Sequence, residues 1–222
     1  MSNRTRTQVV AGAVVAVFAL GIWLTGGQES ASWLKFFSVA VIAASAVLAA
    51  WDRYLWHLRP VQKSKNAPRD IRGTWRGELT GHWVDPTTGT SPGPKVVYLV
   101  VRQSATSVSV TLLSEESQSK SSFGVISGAD SSASLDYMYL NEPNNALQMR
   151  SRIHHGSASL VVTGRPASRL RGHYWTDRDS RGDLEFDAHT RGYVEDYESA
   201  QKLFGDWAGR GLGDGDEGYA HQ

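Results

Sequence analysis

Cysteine is absent from the chain. That excludes disulfides, thiolate zinc sites and a cysteine nucleophile, and it fits a reducing compartment. A charge excess is absent too: 23 lysines and arginines stand against 22 aspartates and glutamates. Proteins that track the phosphates of DNA or RNA normally carry a strong basic excess, so neither is expected as a partner. The common catalytic signatures are missing: no P-loop, no G-x-S-x-G, no H-E-x-x-H and no dinucleotide fingerprint. His154 and His155 are adjacent. In a strand they face opposite ways and cannot share a metal, and their expected place is a strand end and turn. The run "DGDEG" near the end is too short for a calcium loop. With no nucleophile and base in view, the expectation is a protein that is not an enzyme and holds no metal or cofactor.

The mean hydropathy of −0.34 averages over a sharp split. Residues 8 to 24, "QVVAGAVVAVFALGIWL", carry no charge, and residues 33 to 51, "WLKFFSVAVIAASAVLAAW", carry only Lys35. Each is about the 17–25 residues that cross a bilayer as a helix. The short polar break "TGGQESAS" between them predicts a transmembrane hairpin. Arg4 and Arg6 precede the first span, and Arg53, Arg59, Lys63, Lys65 and Arg69 follow the second. The connecting loop has only Glu29, so the positive-inside rule puts both termini in the cytoplasm. Trp23, Trp33 and Trp51 fall near span ends, where indoles favour the interface, and Lys35 can snorkel outward. No A-x-A site follows the first run, which argues against a cleaved signal peptide. No ionisable residue lies deep in either span, so an ion pathway has no support. Gly12, Ala16 and Ala19, and Ala40, Ala43, Ala44 and Ala50, are small residues of the kind that let helices approach closely in lipid, within the hairpin or between copies.

Residues 53 to 70 read as a basic linker. From 71 the period becomes two. Candidate strands are 71–83, 95–103, 106–113, 118–127, 133–141, 147–154, 157–164, 168–176 and 181–188, separated by turn chemistry such as "SGADSS", "NEPNN", "HHGS", "GRPAS" and "DRDSRG". Eight or nine short strands in about 120 residues, without helical periods between them, argue for an antiparallel sandwich or closed barrel over 71–192. Strand 95–103 is apolar on both parities, so its outer side is expected to be covered. "YVEDYESAQKLFGDW" predicts a short helix at 193–207, with Tyr193, Tyr197, Leu203 and Phe204 as apolar contacts. The Gly- and Asp-rich tail 208–222 reads as disordered.

The stretch "IRGTWRGELTGHW" opens the β region, with Gly73, Gly77 and Gly81 on the same parity as Trp75. A narrow barrel alternates large and small inner residues, and "GTW" is also the opening pattern of lipocalin-like barrels. Trp75 is therefore expected to plug one end. The missing side chains of Gly77 and Gly81 admit a second reading, an internal cavity for one small ligand. The stretch "RLRGHYWTDRDSRGDLEF" reads as a hairpin offering Tyr174 and Thr176 on its inner face and Arg178 and Arg181 at its tip. An aromatic face stacks a base, a hydroxyl bonds to it, and a guanidinium forks onto a phosphate. Tyr137 and Tyr139 offer opposing aromatic surface. Core packing, and Asp177, Asp179 and Asp183 pairing the arginines, are the plainer readings of these residues.

Two N-terminal spans, a basic linker, and a β domain opening with "IRGTWRGEL" and closing with "LRGHYWTDRDSRGDLEF" resemble a known family. It comprises the two-transmembrane, β-strand-rich effectors associated with CD-NTase enzymes in bacterial CBASS anti-phage defence. The resemblance covers nearly the whole chain up to about residue 205. It implies a small eight-stranded barrel that senses a cyclic dinucleotide made by the partner CD-NTase synthase. It further implies ligand-driven homo-oligomerisation through the membrane segments, disruption of the inner membrane and death of the infected cell. Ligand contacts are expected among Trp75, Gly77, Tyr137, Tyr139, Tyr174, Thr176, Arg178 and Arg181. The competing readings are a constitutive membrane-anchored scaffold and a carrier of an apolar ligand.

Overall fold

The computed structural model describes residues 3–26, 32–64, 67–84, 87, 89–91, 93–128, 133–144 and 152–210. They fall into two units, one of residues 1–70 with 103–107 and one of residues 71–102 with 108–222.

The first unit is helical. The apolar runs form α1 (Asn3–Thr25) and α2 (Ser32–Ala50), which pack against each other. A π-helical turn at Trp51–Leu55 and the short α3 (Arg59–Gln62) follow. Among the described residues, one stretch, Ser38–Leu55, is long and apolar enough to cross a membrane; the apolar part of α1, Val14–Leu24, is shorter. Among the described side chains of α2, Ala40 and Ala44 are the buried ones, while Val39, Val41 and Ile42 are exposed. Residues 103–107 bond to the same unit: Ala105 N–H donates to Asp52 O at 3.1 Å, and Ser104 Oγ to Asp52 Oδ1 at 3.0 Å.

The second unit is a closed antiparallel barrel of eight strands in sequential order. They are β1 (Gly73–Gly81), β2 (Lys95–Gln103), β3 (Val108–Leu113), β4 (Ser117–Ser127), β5 (Ser134–Pro143), β6 (His154–Thr163), β7 (Arg169–Thr176) and β8 (Arg181–Thr190). Alternation gives each strand an inward apolar side, and closure buries that side of all eight at once. Trp75, Val97, Leu99, Leu135, Leu160, Leu170, Leu184 and Phe186 form the centre of that core, each fully or almost fully buried. Candidate strand 147–154 falls mostly on 145–151, outside the described residues. "HHGS" is not a turn, because His154 and His155 begin β6; likewise β5 runs on to Pro143 through the start of "NEPNN".

Both parities of β2 are indeed used. Val97, Leu99 and Val101 face the barrel, while Tyr98 and Val100 face α4 (Tyr197–Arg210). Tyr98 packs edge-on to Tyr197 at 5.3 Å and stacks on Phe204 at 5.6 Å, with Ala200 completing the contact. Asp196 starts this helix: its carboxylate accepts from Ser199 N–H at 2.7 Å and from Ser199 Oγ at 2.8 Å, satisfying an otherwise orphaned end donor. Tyr193 stays outside this cluster, half exposed beneath the Arg102 guanidinium.

Candidate ligand-binding site

The barrel's two ends differ in chemistry. One end is closed by Trp75, whose indole is fully buried and donates to Ile71 O at 2.9 Å. His189 stacks on it at 4.1 Å, and His189 Nε2 lies 2.8 Å from Arg72 O. Trp75 is thus the plug its position suggests.

Gly77 leaves no space where its side chain would point. A Cβ there would lie 2.0 Å from Glu185 O and 2.6 Å from the Phe186 ring. The cause is a register shift between Arg76 and Gly77, where β1 and β8 come close. That shift also moves Ala188 off the inner face and into the cluster around Tyr98. The expected space is taken by the facing strand and its phenylalanine. Gly81 is different: a Cβ there would meet only the Tyr174 hydroxyl, at 3.5 Å.

The opposite end is where the tyrosines gather. Strand pairing places Gly124, Tyr137, Ala158, Tyr174, Gly182 and Gly81 in one continuous row. Two large rings thus share a row with small residues, which is how a narrow barrel accommodates them. The next row toward the rim is Ser121, Tyr139, Gly156 and Thr176. The Tyr139 ring lies so close over Gly156 that a Cβ there would be 2.4 Å from it. Beyond it come Ser119, Asn141 and His154. Ser119 Oγ donates to Asn141 Oδ1 at 2.8 Å, and both residues are buried.

Polarity therefore rises from floor to rim. The row below the tyrosines is Ile126, Leu135, Leu160, Gly172, Leu184 and Leu79. Burial pushes the Tyr137 phenol far above its ordinary range, and Tyr139 beside it adds to this. Burial does the same to Tyr139, reinforced by Tyr174 and Asp177. Tyr174 is raised by burial and then by Asp183. All three hydroxyls keep their protons at neutral pH and can donate. Tyr137 and Tyr139 lie 5.9 Å apart, tilted by 45°. The Tyr137 hydroxyl is buried with no hydrogen-bond partner among the described residues.

The hairpin residues separate. Thr176 Oγ1 organises the β7–β8 turn: it sits 2.7 Å from Ser180 Oγ and accepts from the N–H groups of Arg178 and Ser180 at 3.3 Å. Its hydroxyl is engaged within the turn. Arg178 is exposed and reaches back over β6, donating from Nη1 to Arg152 O at 3.1 Å and lying 3.5 Å from His154 Nδ1. Arg181 is not at the tip. It begins β8 opposite Trp175, on the outward parity, and is exposed. The outer carboxylate of Asp183 is held by His82 Nε2 at 2.8 Å and His173 Nδ1 at 2.6 Å. Those two hydrogen bonds lower its pKa. Sequence reasoning missed the rim set Ser119, Asn141 and His154. Their isolated inward parity was visible, but their juxtaposition depends on register.

A groove of about 800 Å³ lies outside the barrel, between the β3–β4 turn and the start of α4. Its charged lining is Glu115, Glu195, Asp196 and Glu198 with Lys202, a net negative charge that repels anions.

Residues 66–188 match the family model described as "Cap15, cyclic dinucleotide receptor domain". The chain belongs to this family. A curated relative, "CD-NTase-associated protein 15" of Staphylococcus schleiferi, is 24% identical over 171 residues, covering 77% of this chain and 85% of the relative. Family membership places the barrel within the CBASS effectors that the sequence resembles. The receptor-domain match spans all eight strands up to Ala188 in β8 and includes every residue of the tyrosine end described above.

Proposed function

We propose that the protein is a membrane-anchored, non-catalytic CBASS effector whose barrel binds a cyclic dinucleotide at the tyrosine end. The observation that carries the reading is the polar-rimmed, tyrosine-lined end of a closed barrel within a receptor-domain match. Bases are flat and apolar on their faces, which suits the three tyrosine rings; their edges and the phosphates need the hydroxyls, Asn141 and Arg178. An apolar-ligand carrier fits less well, because the lower half of the barrel is filled by its own leucines and Trp75.

The N-terminal helices anchor the chain in the bacterial inner membrane with both termini cytoplasmic. The basic flanks and the outward-facing Val39, Val41 and Ile42 support this. Binding favours an assembled state, in which exposed small residues of α1 such as Gly12, Ala16 and Ala19 pack between copies, and the assembly disrupts the membrane, killing the infected cell. A ligand drives assembly only through its preference for the assembled state; a shift from one part in a hundred to ninety-nine takes about 5.5 kcal/mol.

The test is the full chain in detergent, with its mass measured with and without cyclic di-AMP, cyclic di-GMP, cyclic di-UMP and cyclic UMP–AMP, then dye release from proteoliposomes. One dinucleotide should raise the mass and release dye. Unchanged mass and intact liposomes with all four would defeat the effector reading.

A further inference from the structure

We propose that a base of the ligand, not a phosphate, enters the barrel, and that the Tyr137 hydroxyl reads its edge. This rests on the cyclic-dinucleotide reading above and adds an orientation and a specificity residue to it.

The first observation is Tyr137 itself. Its side chain is 3% exposed and its hydroxyl has no partner among the described residues. A buried hydroxyl left unsatisfied costs about 1–3 kcal/mol, and the great majority of buried polar groups do find partners. A phenylalanine of the same shape would pack here without that cost. The hydroxyl gains a use when a ligand edge brings it an acceptor or a donor.

The second observation is where charge is tolerated. Among the described residues of the barrel, no lysine or arginine is buried. Tyr137 sits directly above the row of Leu135, Leu160 and Leu184. A phosphate at that depth would be an unpaired buried charge, which costs several kcal/mol even after relaxation. At the rim, Arg178 stands beside His154, with Asn141 next in register. The phosphates therefore stay there, and the neutral, flat part of the ligand goes inward.

The third is the open side of Gly81. In the row of Tyr137 and Tyr174, Gly182 is covered by Thr80 O and the Tyr174 ring and Gly124 by Val108, whereas a Cβ at Gly81 would meet only the Tyr174 hydroxyl among the described residues, at 3.5 Å. A base entering there lies against the Tyr174 ring and reaches toward Tyr137.

The experiment measures affinities of the full chain in detergent for the same four cyclic dinucleotides, by calorimetry, in wild type, Tyr137→Phe and Arg178→Ala. Tyr137→Phe should fold and melt at or slightly above the wild-type temperature. It should bind the preferred dinucleotide about tenfold more weakly, while the poorer ligands change little, so that discrimination collapses. Arg178→Ala should weaken all four by a similar factor and leave their order intact. Unchanged ratios in Tyr137→Phe, or a changed order in Arg178→Ala, would overturn the orientation while leaving cyclic-dinucleotide binding in place. Binding of none of the four by the wild type would overturn the reading beneath it, and the orientation with it. Should the phenylalanine variant not fold, the wild type is titrated with deaza analogues of the preferred bases. A loss of about tenfold for one ring position supports the hydroxyl contact, and equal affinity for every analogue contradicts it.

Discussion

Replacing Gly77 by alanine should damage the barrel, and replacing Gly81 should not. The two glycines are four residues apart on one face of β1, and the sequence offers no reason to tell them apart. A Cβ on Gly77 would sit 2.0 Å from Glu185 O and 2.8 Å from Glu185 C. An ordinary C···O approach is about 3.3 Å, so β8 must retreat by about 1.3 Å. That displacement disrupts one or two ladder hydrogen bonds at about 1 kcal/mol each, on top of an overpacking cost of about 1–3 kcal/mol. The sum is about 3 kcal/mol, or about 12 °C in melting temperature for a domain of this size. Gly81→Ala meets only a hydroxyl at 3.5 Å, an ordinary contact. It should be neutral or stabilising by up to about 1 kcal/mol, through a less flexible unfolded chain. The assay is thermal unfolding of the full chain in detergent, followed by near-ultraviolet circular dichroism, which reports the packing of the aromatic side chains, Trp75 among them. If Gly77→Ala melts within about 2 °C of wild type, the close approach of β1 and β8 is wrong and the cavity reading of that glycine revives.

Three further outcomes follow from the same geometry. Asp183, whose folded pKa is lowered by its bonds to His82 and His173, contributes stability that is present above the ordinary carboxylate range and is lost as pH falls through its folded value. Asp183→Asn should therefore flatten the loss of stability below about pH 4, read from melting temperatures across an acid series. Phe204→Ala removes the ring stacked on Tyr98 and should cost about 3 kcal/mol in urea unfolding, with faster proteolysis of α4. Thr176→Val should cost about 1 kcal/mol by loosening the β7–β8 turn, yet leave the affinity of the folded protein for a cyclic dinucleotide unchanged in calorimetry.

The barrel was legible because period-two alternation and turn chemistry are local signals. Leu135, Tyr137 and Tyr139 on one face, and Leu170, Gly172 and Tyr174 on another, follow from parity alone. The cover over β2 was legible for the same reason: a strand apolar on both sides needs two partners. What stayed hidden depends on which residues face each other across strands. Gly77 looked like empty space because a glycine does not announce the strand that fills it. The outward turn of Ala188 was hidden because a bulge cannot be seen in the alternation it interrupts. Ser119, Asn141 and His154 lie on three strands, and only the registers of β4, β5 and β6 bring them to one rim.

The central claim is that a cyclic dinucleotide enters the tyrosine end of this barrel. Photo-cross-linking tests it most directly: an azido derivative of the bound dinucleotide is irradiated with the full chain, and the labelled peptides are mapped by mass spectrometry. Labels should fall on β5, β6 and β7 around Tyr137, Tyr139, His154 and Tyr174, and excess unlabelled ligand should remove them. Competed labels confined to the acidic groove beside α4, or to the end plugged by Trp75, would contradict it.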